Sequence, residues 1–182
     1  MRIARLLLFG AAMACGPFPQ PEPAADAGAS VVFDEPVTLN RVIDGDTLDV
    51  QRGDETFRVR MKGINTPEMN YDDPGLEPEL WANEARLRVI AEAGLQVGLE
   101  WDSACANPYG PCTEGLDGQA CFDRYCRKLA YVRLRDGRDL GEVLLEAGLA
   151  RMYRFGNELF DRMSRYLNAE DEARQARRGV WE

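Results

Sequence analysis

Arginines, carboxylates and oxygen-bound metal ions are the groups on which any polar catalysis by this chain has to depend. The 182 residues contain no histidine. That absence excludes Ser-His-Asp hydrolysis, histidine-based cleavage of phosphodiesters and nearly all zinc enzymes, because each of these needs imidazole groups. The candidates that remain are acidic and arginine side chains in short polar motifs.

Three short segments carry such side chains. They are IDGDT at 43–47, RMKGINTPE at 60–68 and DRYCRKLAY at 123–131. Taken singly, the first two have ordinary interpretations, because an Asp-Gly step is typical of a hairpin turn and the alternation of Arg60 with Arg58 is typical of a solvated strand face. Thr66-Pro67-Glu68 is likewise typical of a turn before a helix. Together the segments favour a catalytic site, because all the separate explanations would otherwise have to hold at once.

The order and spacing of the three segments, followed by EAGLAR at 146–151 and ARRGVW at 176–181, resemble the staphylococcal nuclease family. The resemblance covers nearly all of residues 37–182. It implies an α+β domain, a five-stranded OB-fold β-barrel with three helices, and a calcium-dependent phosphodiester hydrolase that acts on single-stranded DNA or RNA. We expect such a domain to be a monomer.

The resemblance places the family's catalytic residues on Arg60, Glu68 and Arg127. Planar guanidinium groups stay charged at any working pH and bind phosphoryl oxygens bidentately, which suits the negative charge that develops during phosphodiester cleavage. The glutamate would orient or deprotonate the attacking water, and Arg127 would also stabilise the departing oxygen.

The resemblance also implies a calcium site made by Asp46, Asn65 and the Thr66 backbone carbonyl. Calcium prefers carboxylate and carbonyl oxygens, so this partial shell is chemically sensible. The family's second calcium aspartate is Asn65 here, which keeps an oxygen ligand but removes a negative charge. We therefore expect weaker metal binding, and the identity of the ion stays open.

Substrate contacts implied by the resemblance fall on Arg124 and Tyr125, which match the positions that touch a terminal phosphate. Aromatic residues after the second helix stack on a base in the family, which favours Tyr153 or Phe155. Packing of both rings in the core is an equal alternative.

The elements that have to position these residues follow from hydrophobic periodicity and turn signals. Strands are predicted at 37–42, 47–51, 56–63, 95–101 and 128–134, and helices at 80–93, 140–147 and 157–178. The predicted apolar side of the first helix consists of Trp81, Ala85, Leu87 and Ile90. The predicted core stripe of the last helix consists of Leu159, Phe160, Met163, Tyr166 and Leu167.

The N-terminal residues are typical of export. Arg2 and Arg5 precede an apolar run that ends at Cys15, which predicts a signal peptide at 1–15. The small residues before Cys15 favour lipidation of that cysteine, as in a bacterial cell-envelope lipoprotein, over simple cleavage and secretion. A tether rich in proline and alanine is predicted at 16–34, before the domain at 35–182.

The remaining four cysteines lie in or beside an insertion at about 102–126. An even set in an exported chain favours two disulfides among Cys105, Cys112, Cys121 and Cys126 over a zinc site, because the spacings lack the paired short loops of structural zinc. The pairing cannot be read from the sequence. Cys126 stands where the family has a glycine, so a disulfide there would fix the loop that aims Arg127.

The formal net charge of -9 and a pI of about 4.7 disfavour a broad basic surface that coats nucleic acid. A local positive pocket remains compatible with that balance. Two alternatives to an enzyme stay open: a catalytically silent nucleic-acid-binding module, and a lipid-anchored structural or protein-binding barrel.

Overall fold

The computed structural model describes residues 36–71, 73, 75–103 and 121–182. The predicted signal peptide with Cys15, the tether, and Cys105 and Cys112 lie outside the described residues, as does the side chain of Cys121. Eight strands occur in the described part: β1 (Val37–Val42), β2 (Thr47–Arg52), β3 (Glu55–Met61), β4 (Ile64–Asn65), β5 (Gln96–Glu100), β6 (Cys121–Phe122), β7 (Lys128–Arg133) and β8 (Arg151–Met152).

Five of these strands close into a barrel. The hydrogen-bonded order is β3-β2-β1-β5-β7, and a parallel pairing of β3 with β7 joins the two ends. Two-residue turn signals at Asp44-Gly45 and Gly53-Asp54 lie between the strands of the first two antiparallel pairs. Closure buries an apolar interior to which Leu48, Val50 and Val59 contribute fully buried side chains.

The described residues contain three α-helices, α1 (Ala82–Ala93), α2 (Leu140–Glu146) and α3 (Met163–Gln175), and a final 3-10 turn at Gly179–Trp181. Asp139 caps α2 by accepting a hydrogen bond from the Glu142 backbone N–H at 3.2 Å. The predicted five-stranded barrel with three helices is therefore confirmed. None of the helices in this part of the chain has the length and hydropathy of a membrane span.

The predicted buried side of α1 is wrong for two of its four residues. Leu87 and Ile90 are 59% and 45% exposed, whereas Ala82, Ala85 and Val89 are fully buried. The physical reason is close packing, since a Cβ placed on Gly45 would lie 2.8 Å from the Ala85 Cβ. Small side chains allow the helix to approach the barrel, and the larger ones face outward.

The start of the last helix is also corrected, because α3 begins at Met163 and not at residue 157. Leu159 is exposed, and Phe160 is buried ahead of the helix. The backbone N–H of Asp161 donates to the Asp102 carboxylate at 2.8 Å, and Arg162 forms ion pairs with Glu100 and Asp139. These tertiary contacts hold the segment against the barrel in a non-helical path.

Candidate active site

Arg60 lies on β3, and Arg127 immediately precedes β7, the parallel neighbour of β3. In the β3–β7 register Arg60 pairs with Leu129, and Arg127 lies two residues before Leu129. Paired residues of neighbouring strands project to the same face, so Arg60 and Leu129 share one face. Arg127 lies close enough for its charge to act on Arg60. Closure of the barrel therefore brings together two arginines that are 67 positions apart in the sequence, as their numbers show.

The Arg60 guanidinium contacts two of the three predicted metal ligands. It forms an ion pair with the Asp46 carboxylate, and Nη2 donates to Asn65 Oδ1 at 2.6 Å and to the Ile64 carbonyl at 3.3 Å. The side chain is mostly buried. Asp46 and Asn65 thus direct their oxygens at one cationic group.

Three hydrogen bonds hold Asp46 in place, in addition to its ion pair with Arg60. Its backbone N–H donates to Asp44 Oδ1 at 3.0 Å, its Oδ1 accepts from Thr47 Oγ1 at 3.0 Å, and its Oδ2 accepts from the Thr66 backbone N–H at 2.8 Å. Gly45 is required here, since a Cβ would lie 2.7 Å from Thr66 Cγ2. The hairpin turn at 43–47 is therefore fixed against the segment at 64–66.

The donor set at this point fits a hard cation. The Asp46 and Asn65 oxygens converge on a positive group, and the buried Thr66 Oγ1 has no hydrogen-bond partner among the described residues. The Thr66 carbonyl accepts only a long bond of 3.3 Å from Asn65 Nδ2 among the described side chains. No cluster of three or more acidic or cysteine side chains suited to a metal occurs in 36–103 and 121–182, residues 72 and 74 excepted. Any metal held here would therefore need ligands besides carboxylates.

Glu68 lies in the electric field of both arginines. Its pKa is raised, first by burial and then by the charges of Asp44 and Glu79, while Arg60 and Arg127 oppose the rise. The Glu68 backbone N–H donates to Glu79 Oε2 at 3.0 Å, which secures the loop before α1. Glu68 and Asp44 both line an open pocket of about 240 Å³. The three predicted catalytic residues thus act on one another electrostatically.

The pKa of Arg60 depends on burial and on the charges of the same cluster. Burial lowers its pKa to about 10, Arg127 lowers it as well, and Asp44, Glu68 and Asp123 oppose this. A pKa of about 10 keeps Arg60 cationic at neutral pH. Burial also raises the pKa of Asp44.

Asp44 and Asp123 also belong to the site, although the sequence motifs predicted no role for either of them. A local signal existed for each: Asp44 lies two residues before Asp46, and Asp123 lies four residues before Arg127. Aspartates at such positions are also typical of ordinary turns, so the sequence alone did not indicate that they belong to the site.

Arg124 and Tyr125 occupy the exposed turn that leads into Arg127. The Arg124 guanidinium lies 4.7 Å from the centre of the Tyr125 ring, and that of Arg127 lies 5.4 Å from it. Cys126 has a φ of 59°, a conformation that glycine adopts readily, and it is disulfide-bonded. The pairing of Cys105, Cys112 and Cys121 lies outside what the structure describes.

Tyr153 and Phe155 follow β8, which pairs with β4 so that Arg151 lies opposite Asn65. The Tyr153 backbone N–H donates to the Gly63 carbonyl at 2.9 Å. Tyr153 is 48% exposed and Phe155 is 62% exposed, so neither ring belongs to the core. The alternative of core packing is therefore wrong for both rings.

Comparison with known proteins agrees with this arrangement. Residues 58–182 match the model of the family described as Staphylococcal nuclease homologue. The chain is 30% identical over 147 residues to an uncharacterized protein of Methanocaldococcus jannaschii. The aligned region covers 78% of this chain and 69% of that protein. It is 29% identical over 161 residues to the thermonuclease of Staphylococcus hyicus, covering 87% of this chain and 83% of the thermonuclease.

A third relative is the prophage-derived endonuclease YokF of Bacillus subtilis, at 28% identity over 145 residues and 80% of this chain. The match spans only 43% of YokF. The family match covers well over half of the chain and includes the second half of β3, all of β7 and the segments that carry Arg60, Glu68 and Arg127. This chain therefore belongs to the staphylococcal nuclease homologue family.

Proposed function

We propose that this protein is a calcium-dependent nuclease that hydrolyses phosphodiester bonds of DNA or RNA. The observation that carries the proposal is the convergence of Arg60, Arg127 and Glu68, because the charge of Arg127 acts on both Arg60 and Glu68, and these two act on each other. Family membership and relatives named as nucleases support it.

The two arginines are proposed to bind the non-bridging oxygens of one phosphate. Negative charge grows on these oxygens in the transition state, and preorganised cations in a partly buried site stabilise it. Arg127 approaches from the exposed turn before β7, and it also stabilises the oxygen that departs.

Glu68 is proposed to accept a proton from the attacking water. The water oxygen forms a bond to phosphorus, the ester oxygen leaves, and the displaced proton moves to the Glu68 carboxylate. Raised pKa values are characteristic of catalytic bases, and burial of Glu68 beside Asp44 acts in that direction.

Asp46, Asn65 and the Thr66 carbonyl are proposed to hold the calcium ion. When bound, the ion supplies Lewis-acid activation of the phosphate. The replacement of a carboxylate by the Asn65 amide predicts weak affinity. Arg60 contacts oxygens of the same two side chains.

Substrate binding is proposed to extend to both sides of this cluster. Arg124 and Tyr125 would hold a terminal phosphate, and the exposed ring of Tyr153 would stack on a base. The exposure of all three side chains is compatible with contact to a nucleic acid.

Export is proposed from the N-terminal sequence. A signal at 1–15 and lipidation of Cys15 would place the domain at the cell envelope, where two disulfides are stable. Metabolic labelling with a radioactive fatty acid tests the lipid anchor, with Cys15→Ser as the control that should lose the label.

The test of function is cleavage of single-stranded DNA and of RNA by the purified protein, with calcium and then with a chelator. We expect cleavage that needs calcium and that is lost in Arg60→Ala and Glu68→Gln. Binding without cleavage in the wild type would favour the silent binding module. Neither binding nor cleavage would favour the structural barrel.

A further inference from the structure

The turn that carries Arg127 is organised around one carboxylate. Asp123 Oδ1 accepts hydrogen bonds from the backbone N–H groups of Tyr125 at 2.9 Å and Arg127 at 3.0 Å. Two backbone bonds of 3.1 Å, from Asp123 to the Arg127 carbonyl and from Cys126 to the Asp123 carbonyl, close the same turn. The carboxylate therefore shapes the backbone from which the arginine projects.

The second oxygen of this carboxylate reaches the arginine side chain. Asp123 Oδ2 accepts from Arg127 Nε at 2.6 Å, and both side chains are partly buried. Within the described residues, the side-chain hydrogen bonds of Arg127 go to Asp123. An arginine has five N–H donors in a fixed plane, so contact at Nε orients the plane and leaves the terminal nitrogens for a phosphate.

The charge of Asp123 also acts on the second arginine. Arg127 disfavours the ionised form of Arg60, and Asp123 favours it. The carboxylate therefore offsets part of the repulsion between two guanidinium groups that have to lie close together to share one phosphate.

We propose that Asp123 is a positioning residue that holds the Arg127 guanidinium in the orientation needed to bind the scissile phosphate. The proposal rests on the nuclease function proposed above. Asp123 itself touches no reacting atom.

Asp123→Asn separates the two tasks of the carboxylate. The asparagine Oδ1 can still accept both backbone N–H groups, whereas its amide nitrogen cannot accept a bond from Arg127 Nε. Asp136 provides a matched control, because its Oδ1 accepts from the Arg138 backbone N–H at 3.0 Å and its Oδ2 accepts from Arg138 Nε at 2.6 Å. Asp136→Asn removes the same kind of contact from an exposed hairpin.

Steady-state cleavage of single-stranded DNA is the first measurement. We expect Asp123→Asn to lower kcat by roughly 10- to 100-fold with KM within about threefold, because a misplaced catalytic group loses rate more than binding. Asp136→Asn should retain wild-type kinetics. In an Arg127→Lys background, Asp123→Asn should cause little further loss, since the oriented group is already gone. An equal fractional loss in both backgrounds would overturn the proposal.

Proton exchange at arginine Nε, followed by NMR in the full protein, is the second measurement and does not need activity. We expect slow exchange at Arg127 Nε in the wild type and fast exchange in Asp123→Asn. Exchange at Arg133 Nε, which bonds Glu100 at 2.6 Å, should not change. Unchanged exchange at Arg127 would overturn the positioning role.

The two measurements test the nuclease function and the positioning role of Asp123 separately. A wild type that cleaves nothing but shows the exchange difference would refute the nuclease function and retain the orientation of Arg127 by Asp123. Should Asp123→Asn not fold, Asp123→Ser keeps one oxygen for the turn, and the same criteria apply to it.

Discussion

Replacing Arg60 by lysine keeps the positive charge and removes the planar fork. In the structure one edge of the guanidinium meets Asp46, and Nη2 meets Asn65 Oδ1 at 2.6 Å. A lysine ammonium is a point charge that cannot present two parallel donors to a phosphate. Arg60→Lys therefore isolates the contribution of geometry from that of charge.

The expected loss follows from the hydrogen bonds that the fork provides. One charge-assisted bond to the transition state is forfeited, which is worth about 2 kcal/mol and corresponds to roughly 30-fold in rate. Arg60→Ala should cost more, on the order of 1,000-fold, because the charge is lost as well.

The assay is initial-rate cleavage of single-stranded DNA at saturating calcium, with folding checked by circular dichroism. The control is Arg133→Lys, because Arg133 also makes two fork contacts, to Glu100 at 2.6 Å and to the Gly137 carbonyl at 2.6 Å. Arg133 lies further along β7, outside the proposed site. A folded Arg60→Lys variant with a rate within threefold of the wild type would refute the reasoning.

Three further predictions concern the metal, the turn and the fold. Asn65→Asp restores a charged ligand and should tighten calcium binding roughly tenfold by isothermal titration calorimetry; unchanged or weaker binding would contradict the ligand role. Reduction of the Cys126 disulfide should lower turnover more than it lowers Tm, because it loosens the turn that carries the arginine; full turnover in a reduced, folded protein would count against this. Gly148→Ala should destabilise the protein by more than about 2 kcal/mol in urea unfolding, because φ is 70° and the added Cβ would lie 2.1 Å from the Arg178 carbonyl oxygen. The control Gly53→Ala, with a φ of 56° and open space around it, should cost about 1 kcal/mol; equal costs at the two positions would contradict the packing argument.

Sequence patterns identified the barrel strands well because their signals are local. Alternation and the turn residues at 44–45 and 53–54 define β1, β2 and β3 without reference to the rest of the chain. The outward face of α1 was missed because Leu87 and Ile90 look like core residues, whereas a small side chain at Ala85 allows the close approach to Gly45.

The candidate site could be predicted only in part from the sequence. The segments containing Asp46, Arg60 and Glu68 lie within one stretch of sequence, and their spacing pointed to a site. The meeting of Arg60 with Arg127 depends on the parallel β3–β7 pairing, which is a long-range contact with no local signal. Asp123 was overlooked because a turn aspartate and an arginine-orienting aspartate have the same sequence signature.

The most direct test of the proposed site is a double-mutant cycle on Arg60 and Arg127 with DNA cleavage as the readout. We expect Arg60→Lys and Arg127→Lys to show a coupling free energy of at least about 1 kcal/mol, because both side chains bind one phosphate. Losses that add within about 0.5 kcal/mol would mean that the two arginines act independently, and would contradict a shared phosphate.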